Sequence, residues 1–184
     1  VMLDEQSSTV YLMDAQMSLD VGSIGKGYAV QKLAAYAREI GLEHALISVG
    51  GNVCAAGNQA DGTPWRVGIE NPTLDSAQPY LAAVGLSHGS LVTSGDYQRY
   101  YEVDGERYCH IIDPKTNMPP QYFASVSVQA EDSGVADALS TSLFNMEYAQ
   151  GVSLVEDMEG VEAMWVGKDG EIRYSSGFKV YEEK

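Results

Sequence analysis

A glycine-dense segment, residues 20–28, has the composition of a phosphate-binding turn between a strand and a helix. Such a turn presents backbone amides and a helix N-terminus to an anion. A Walker A loop would need a glycine five residues before Gly25 and a serine or threonine after Lys26. This chain has Asp20 and Gly27 there, so a P-loop nucleotide triphosphatase is excluded. The dinucleotide fingerprint lacks its third glycine and is excluded as well. The alternative is an ordinary strand-to-helix connection that uses glycine for its geometry.

A second candidate, residues 134–141, carries two oxygen-bearing side chains on one face of a predicted helix. Asp137 and Thr141 are four positions apart, so both project from the same side and could offer ligands to a hard cation such as Mg²⁺. Their small neighbours leave room for a bulky molecule. Alternatively, Asp137 only complements the dipole of its own helix in the first turn, which contributes about 0.3–1 kcal/mol.

A third candidate, residues 108–116, places a histidine on a predicted strand that ends in a turn. Histidine is the side chain type suited to general-base chemistry near neutral pH, so His110 could serve as a general base, and Asp113 could orient it or cap the turn. The alternative is a histidine on a hairpin strand followed by an ordinary Asp-Pro turn. His44 and His88 lack comparable neighbours and are predicted to be surface or packing residues.

The charge of the chain limits the kinds of partner it can have. A formal net charge of −15, with only 11 lysines and arginines, excludes nucleic acid as a main partner, because that binding depends on clustered cations. Excess carboxylates remain compatible with divalent cations and metal-assisted phosphate chemistry. No stretch approaches the roughly 20 apolar residues of a membrane span, and residues 1–20 lack a basic-then-apolar signal pattern. Cys54 and Cys109 have no metal-binding spacing. Two buried thiols are predicted, and a single disulfide bridge between them is the alternative.

The elements that position these candidates follow from hydrophobic periodicity. Apolar residues at helical spacing over 25–40, followed by Gly41, predict a long helix with a glycine C-cap. Two more helices are predicted, one from about residue 135 to 146 and one over 152–158. Short strands are expected at 10–13 and 17–19. Further strands are predicted at 45–49 (buried), 65–70, 80–86, 90–93, 99–103, 107–112, 123–130, 161–166 and 171–174.

These elements are joined mostly by links of hairpin length. Asp104-Gly105, between two alternating runs, is the strongest hairpin signal. About eight to ten strands and three helices favour an α+β fold with a largely antiparallel sheet. The length of 184 residues predicts a single domain over 1–184.

Six segments, in this order, resemble the ApbE family of FAD:protein FMN transferases. Each motif alone is weak, whereas the series is highly specific. The motifs are Asp-x-Gly-x-Ile-x-Lys-Gly-Tyr at 20–28, Ser-Val-Gly-Gly-Asn at 48–52, Pro-Trp-x-Val-Gly-Ile at 64–69, Thr-Ser-Gly-Asp-Tyr at 93–97, His-Ile-Ile-Asp-Pro at 110–114 and Ala-Asp-Ala-Leu-Ser-Thr at 136–141. The resemblance implies an ApbE-like fold, related to the T-fold.

The resemblance also implies a set of contacts to FAD as substrate. Asp20 and Lys26 would contact FAD, and Ile111 would pack near the flavin nucleotide. Asp96 and Tyr97, in a segment that by itself is either a substrate loop or a bend between strands, would shape the flavin or acceptor pocket.

A magnesium-dependent reaction is implied as well. Mg²⁺ would be held by Asp137, Thr141 and the main-chain oxygen of Ser23. His110 would be the base that helps a serine or threonine hydroxyl of an acceptor protein attack the FMN phosphorus, with release of AMP. Two other activities stay open: hydrolysis of FAD to FMN and AMP, and flavin binding without catalysis.

The resemblance implies a longer protein in which a further N-terminal segment completes the FAD pocket. It implies an extracytoplasmic location, in the periplasm or on the outer face of the cell membrane. The full-length form would be anchored to the membrane by lipid. This chain has Asn117 where the family usually has glycine, and asparagine tolerates the left-handed backbone that such a turn requires.

Overall fold

The computed structural model describes residues 1–73 and 76–181. Within these ranges the chain forms three helices and twelve strands. The helices are α1 (Gly25–Glu39), α2 (Ser133–Phe144) and α3 (Tyr148–Glu156). The strands are β1 (Met2–Asp4), β2 (Thr9–Tyr11), β3 (Leu46–Val49), β4 (Asn52–Ala55), β5 (Trp65–Glu70), β6 (Tyr80–Leu86), β7 (Gly89–Gly95), β8 (Tyr100–Val103), β9 (Glu106–Cys109), β10 (Phe123–Ala130), β11 (Glu162–Gly167) and β12 (Ile172–Tyr174).

One six-stranded antiparallel sheet organises the molecule. Its strand order is β12-β11-β10-β7-β4-β3, and the hairpins β1–β2, β5–β6 and β8–β9 form separate two-stranded sheets. The predicted α+β class, with a largely antiparallel sheet and three helices, is confirmed.

The two faces of the large sheet are covered by different elements because successive strand residues point to opposite sides. On β7, Val92 belongs to the core cluster that contains residues of α2, such as Ala136 and Leu143. Leu91 belongs to the second cluster, with Val67 of β5 and residues of β6. The sheet therefore lies between the helices and the β5–β6 hairpin.

Helix α1 ends as predicted. Gly41 has a φ of +79°, its N–H donates to the carbonyl of Arg38, and the N–H of Leu42 donates to the carbonyl of Ala37. This pair of bonds is a Schellman motif, in which glycine accepts the left-handed backbone without strain. The sequence pattern therefore gave the right end for this helix.

Several strand predictions were wrong. Residues 17–19 form no strand, whereas β1 and β4 were not predicted, so the count of twelve exceeds the expected eight to ten. Strand β3, predicted to be buried, lies at the sheet edge with Leu46 and Val49 exposed. The Asp104-Gly105 hairpin is confirmed, since both residues have positive φ, as a type I′ turn requires.

Across the part of the chain that the structure describes, no helix combines the length and apolar character needed to cross a membrane.

Candidate functional site

The N-terminus of α1 packs directly against α2 at Gly27. A Cβ atom at this position would lie 2.2 Å from the carbonyl oxygen of Ser133 and 2.6 Å from the Cβ of Asp137. Only glycine leaves room for this approach, so the glycine-dense turn and the helix that carries Asp137 meet at one place.

Asp137 links the two helices through both of its carboxylate oxygens. The side chain is 2% exposed. Its Oδ2 accepts the backbone N–H of Gly27 at 2.8 Å, and its Oδ1 lies 3.3 Å from the Nζ of Lys26. A carboxylate at a helix N-terminus is favoured by the partial positive charge of that end.

The helix whose dipole Asp137 complements is α1. The alternative interpretation, in which Asp137 complements the dipole of its own helix, is therefore wrong. Helix α2 begins at Ser133 and is capped by Asp132, whose carboxylate accepts the N–H groups of Gly134 and Val135.

The turn before α1 is held by its own polar contacts. Asp20 accepts the N–H of Gly22 at 2.6 Å, and Lys26 donates to the carbonyl of Gly22 at 3.4 Å. Ser23, the next residue, is exposed. The ammonium of Lys26 thus lies between a main-chain oxygen of the turn and the carboxylate of Asp137.

A chain of hydroxyl groups extends from Asp137 along α2 to the end of β7. Ser140 donates to the carbonyl of Asp137 at 2.9 Å, and Ser94 lies 2.8 Å from the Oγ of Ser140 and 3.3 Å from the Oγ1 of Thr141. Sequence reasoning missed Ser94 and Ser140 as members of this group. The alternation along β7, which places Ser94 on the same face as Val92, was the available signal.

His110 and Ile111 follow β9 instead of lying within a strand. His110 is exposed, and its Nδ1 lies 3.4 Å from the carbonyl oxygen of Arg99. A carbonyl only accepts, so Nδ1 is the donor in this contact, and in the neutral ring the lone pair is then on Nε2. Ile111 is buried in the core cluster that also contains Ala136, the neighbour of Asp137. No hydrogen bond between described residues joins His110 to the group around Asp137.

Asp113 caps the turn that follows His110. Its carboxylate accepts the N–H of Lys115 at 2.9 Å and the hydroxyl of Thr116 at 3.3 Å. Asn117 has a φ of +57°, so asparagine does take the left-handed conformation in this turn. Of the two roles predicted for Asp113, these contacts correspond to the cap.

Asp96 and Tyr97 belong to a second polar cluster, beyond the end of β7. Asp96 is buried and forms an ion pair with Lys168. Tyr97 is buried too, and burial, reinforced by the charge of Glu70, raises the pKa of its phenol. The phenol therefore stays protonated at any physiological pH.

The oxygen atoms around Lys26 suit a hard cation. Within residues 1–73 and 76–181, no three His, Cys, Asp or Glu side chains lie close enough together to hold a metal. A cation at this place would depend on one carboxylate, a hydroxyl and main-chain carbonyls, which is a ligand set that Mg²⁺ accepts together with water. That a lysine ammonium already lies among these atoms shows that the position favours positive charge.

A helix N-terminus, a lysine and a buried carboxylate that meet on an α+β scaffold define a protein with a candidate site for a phosphate-bearing ligand and a hard cation. The ApbE family model matches residues 1–165, and the chain belongs to this family. The resemblance identified in the sequence is thereby confirmed.

Two curated relatives of this chain are both named FAD:protein FMN transferase. The chain is 37% identical over 177 residues to an FAD:protein FMN transferase of Klebsiella pneumoniae and 38% identical over 178 residues to one of Treponema pallidum. These alignments cover 96% and 92% of this chain, but 54% and 49% of the relatives. The chain therefore spans about half the length of the curated relatives it matches.

Solved structures show the same likeness. The ApbE protein of Thermotoga maritima aligns with a TM-score of 0.86 at 32% identity, over 95% of this chain and 56% of that chain. The flavin transferase ApbE of Vibrio cholerae aligns with a TM-score of 0.74 at 32% identity, over 87% and 51%.

Proposed function

We propose that this chain carries the metal-binding and base-bearing part of a magnesium-dependent flavin transferase. The enzyme moves FMN from FAD to a serine or threonine hydroxyl of an acceptor protein and releases AMP. The contact between the glycine turn and α2, where Lys26 and Gly27 both reach Asp137, is the observation that carries this proposal. The shared name of the relatives supports the reaction class.

Three residues would hold the cation. Asp137 supplies the carboxylate, Thr141 the hydroxyl one helical turn away, and Ser23 the main-chain oxygen beside the contact of Lys26 with Gly22. When bound, Mg²⁺ neutralises the diphosphate of FAD and stabilises charge on the leaving oxygen. Ser94 positions Thr141 through the hydroxyl contact at 3.3 Å.

The remaining contacts to FAD come from the turn and from the segment after β9. Lys26 offers an ammonium to the diphosphate, and Asp20 both contacts FAD and fixes the turn through the N–H of Gly22. Ile111, buried in the helix-side core, would pack near the flavin nucleotide.

His110 takes the proton in the transfer step. The acceptor hydroxyl oxygen forms a bond to the phosphorus of the FMN half while the bond from that phosphorus to the oxygen of AMP breaks, and the hydroxyl proton passes to Nε2 of His110. In the neutral ring, the contact of Nδ1 with the carbonyl of Arg99 favours the tautomer whose Nε2 can act as base. The exposure of His110 allows an acceptor protein to reach it.

We also propose an extracytoplasmic setting, in which a longer form of the protein is anchored by lipid. This follows only from kinship with the family.

The test is incubation with FAD, Mg²⁺ and a candidate acceptor protein, with free nucleotides measured by chromatography and the acceptor by intact mass. Transfer predicts AMP together with an acceptor heavier by one FMN less water. His110→Gln should lose at least about a hundredfold in rate while FAD binding is kept. His88→Gln, at an exposed histidine in the turn between β6 and β7, is the matched control and should keep full activity.

Other results would point elsewhere. Free FMN and AMP without an adduct would contradict transfer and favour hydrolysis. FAD binding that raises the melting temperature, with no turnover and no effect of His110→Gln, would favour a flavin-binding protein.

A further inference from the structure

We propose that Lys26 and the metal ion compete for the same oxygen atoms, so that metal binding releases the Lys26 ammonium to meet the phosphate of the substrate. This inference rests on the proposed function for its metal and its substrate. It adds an exchange at Asp137, in which the metal ion replaces the ammonium of Lys26.

The two oxygens of Asp137 differ in how firmly their partners are held. Oδ2 is bound by the backbone N–H of Gly27, which cannot leave unless α1 moves away from α2. Oδ1 is bound by the Nζ of Lys26, at the tip of a flexible side chain. Oδ1 is therefore the oxygen that can change partners.

The Lys26 ammonium occupies the position that the proposed metal ion would take. Its Nζ lies 3.3 Å from Oδ1 of Asp137 and 3.4 Å from the carbonyl oxygen of Gly22. A carboxylate and main-chain carbonyls are also what a divalent ion would take here. An ammonium and a divalent ion repel each other, which disfavours the sharing of Oδ1 at hydrogen-bond distance.

Lys26 has an exit from this position. Its side chain is 35% exposed, whereas that of Asp137 is 2% exposed. The aliphatic stem passes Gly50, where an added Cβ would lie 3.7 Å from the Cδ of Lys26, an ordinary contact. The ammonium can therefore swing toward solvent, the side from which a soluble substrate arrives, without repacking of the core.

The exchange keeps the buried carboxylate neutralised in both states. An unpaired charge at the depth of Asp137 is strongly unfavourable. Lys26 supplies the counter-charge in the metal-free chain, and the metal supplies it afterwards. Because the freed ammonium then binds the substrate diphosphate, metal and substrate should each raise the affinity of the other.

The exchange can be measured on the whole chain without turnover. Mg²⁺ affinity, determined by calorimetry in the absence of FAD, should rise about fivefold or more in Lys26→Met, because the competing ammonium is gone. Lys32→Met is the matched control: Lys32 is an exposed lysine of the same helix, over the ring of Tyr28. It removes the same charge and should change the affinity much less.

A second measurement needs no variant. Reductive methylation of the unaltered chain, followed site by site by mass spectrometry, should label Lys26 faster when Mg²⁺ is present and label Lys32 at an unchanged rate. Equal labelling of Lys26 with and without bound Mg²⁺ would overturn the exchange.

The outcomes separate this inference from the proposed function. If the unaltered chain binds Mg²⁺ and Lys26→Met binds it no more tightly than Lys32→Met, the exchange is wrong and the metal site stands. If neither the unaltered chain nor Lys26→Met binds Mg²⁺, both proposals fail. If Lys26→Met loses Mg²⁺ binding while the unaltered chain keeps it, Lys26 supports metal binding instead of competing with it. That result would also overturn the exchange.

Discussion

The backbone N–H of Gly27 donates to Oδ2 of Asp137 at 2.8 Å, across 110 positions of sequence. This bond joins the start of α1 to the buried face of α2 and holds the carboxylate in one orientation. The other carboxylate oxygen is thereby aimed at Lys26, so the geometry of the candidate site depends on the close approach of two helices.

Gly27→Ala should destabilise the fold by about 1–3 kcal/mol, because the new methyl group would overlap the carbonyl of Ser133. Chemical denaturation followed by circular dichroism measures the free energy of unfolding. Gly25→Ala is the matched control, since a Cβ there would meet only the side chain of Val21 at 3.7 Å. It should be neutral or stabilising by up to about 1 kcal/mol. Equal losses in the two variants would contradict the close helix contact.

Asp132→Ala should lower the free energy of unfolding by about 1 kcal/mol, because Asp132 caps α2 through the N–H groups of Gly134 and Val135. Glu131→Ala removes the same charge from the preceding exposed position and should change stability by less than about 0.5 kcal/mol. Thermal unfolding of both variants, at equal salt, tests the cap. A larger loss of stability for Glu131→Ala than for Asp132→Ala would contradict the assignment of Asp132 as the cap.

Ser94→Ala should weaken Mg²⁺ binding as well as stability, because Ser94 contacts the hydroxyls of both Ser140 and Thr141. The expected stability loss is about 1 kcal/mol. Thr93→Val deletes a hydroxyl on the opposite sheet face, where Thr93 contacts Ser127 at 2.8 Å. It should cost similar stability and leave Mg²⁺ affinity unchanged, as calorimetry would show. A loss of Mg²⁺ affinity in both variants would contradict a specific role of Ser94 in the metal site.

Neither cysteine should react with iodoacetamide in the folded chain at pH 8. Cys54 and Cys109 are free thiols with 1% and 4% exposure, and burial raises the pKa of each. The reactive thiolate is therefore scarce as well as shielded. Intact mass after brief labelling should show no adduct in buffer and two adducts in denaturant. Labelling of one cysteine in buffer would show that its segment opens readily.

Several elements could be predicted from the sequence because their signals are local. The bounds of β5, β6 and β10 agree with the predicted segments, and α1 is terminated by the predicted glycine, Gly41, just beyond its last turn. The two buried thiols and the Asp104-Gly105 turn were also predicted correctly. In each case the order of side chains along a few residues carries the information.

The tertiary structure alone decided which of these elements meet. Nothing local in residues 20–28 indicates that Gly27 contacts Asp137, and nothing in β3 indicates an exposed edge. The sequence by itself determined the helices, most of the strands and most of the candidate residues of the site, because propensity and periodicity act over one or two turns. The pairing of Asp137 with the N-terminus of α1, and the place of Ser94 beside Thr141, were decided by packing, since a contact between distant segments depends on the faces that the whole core brings together.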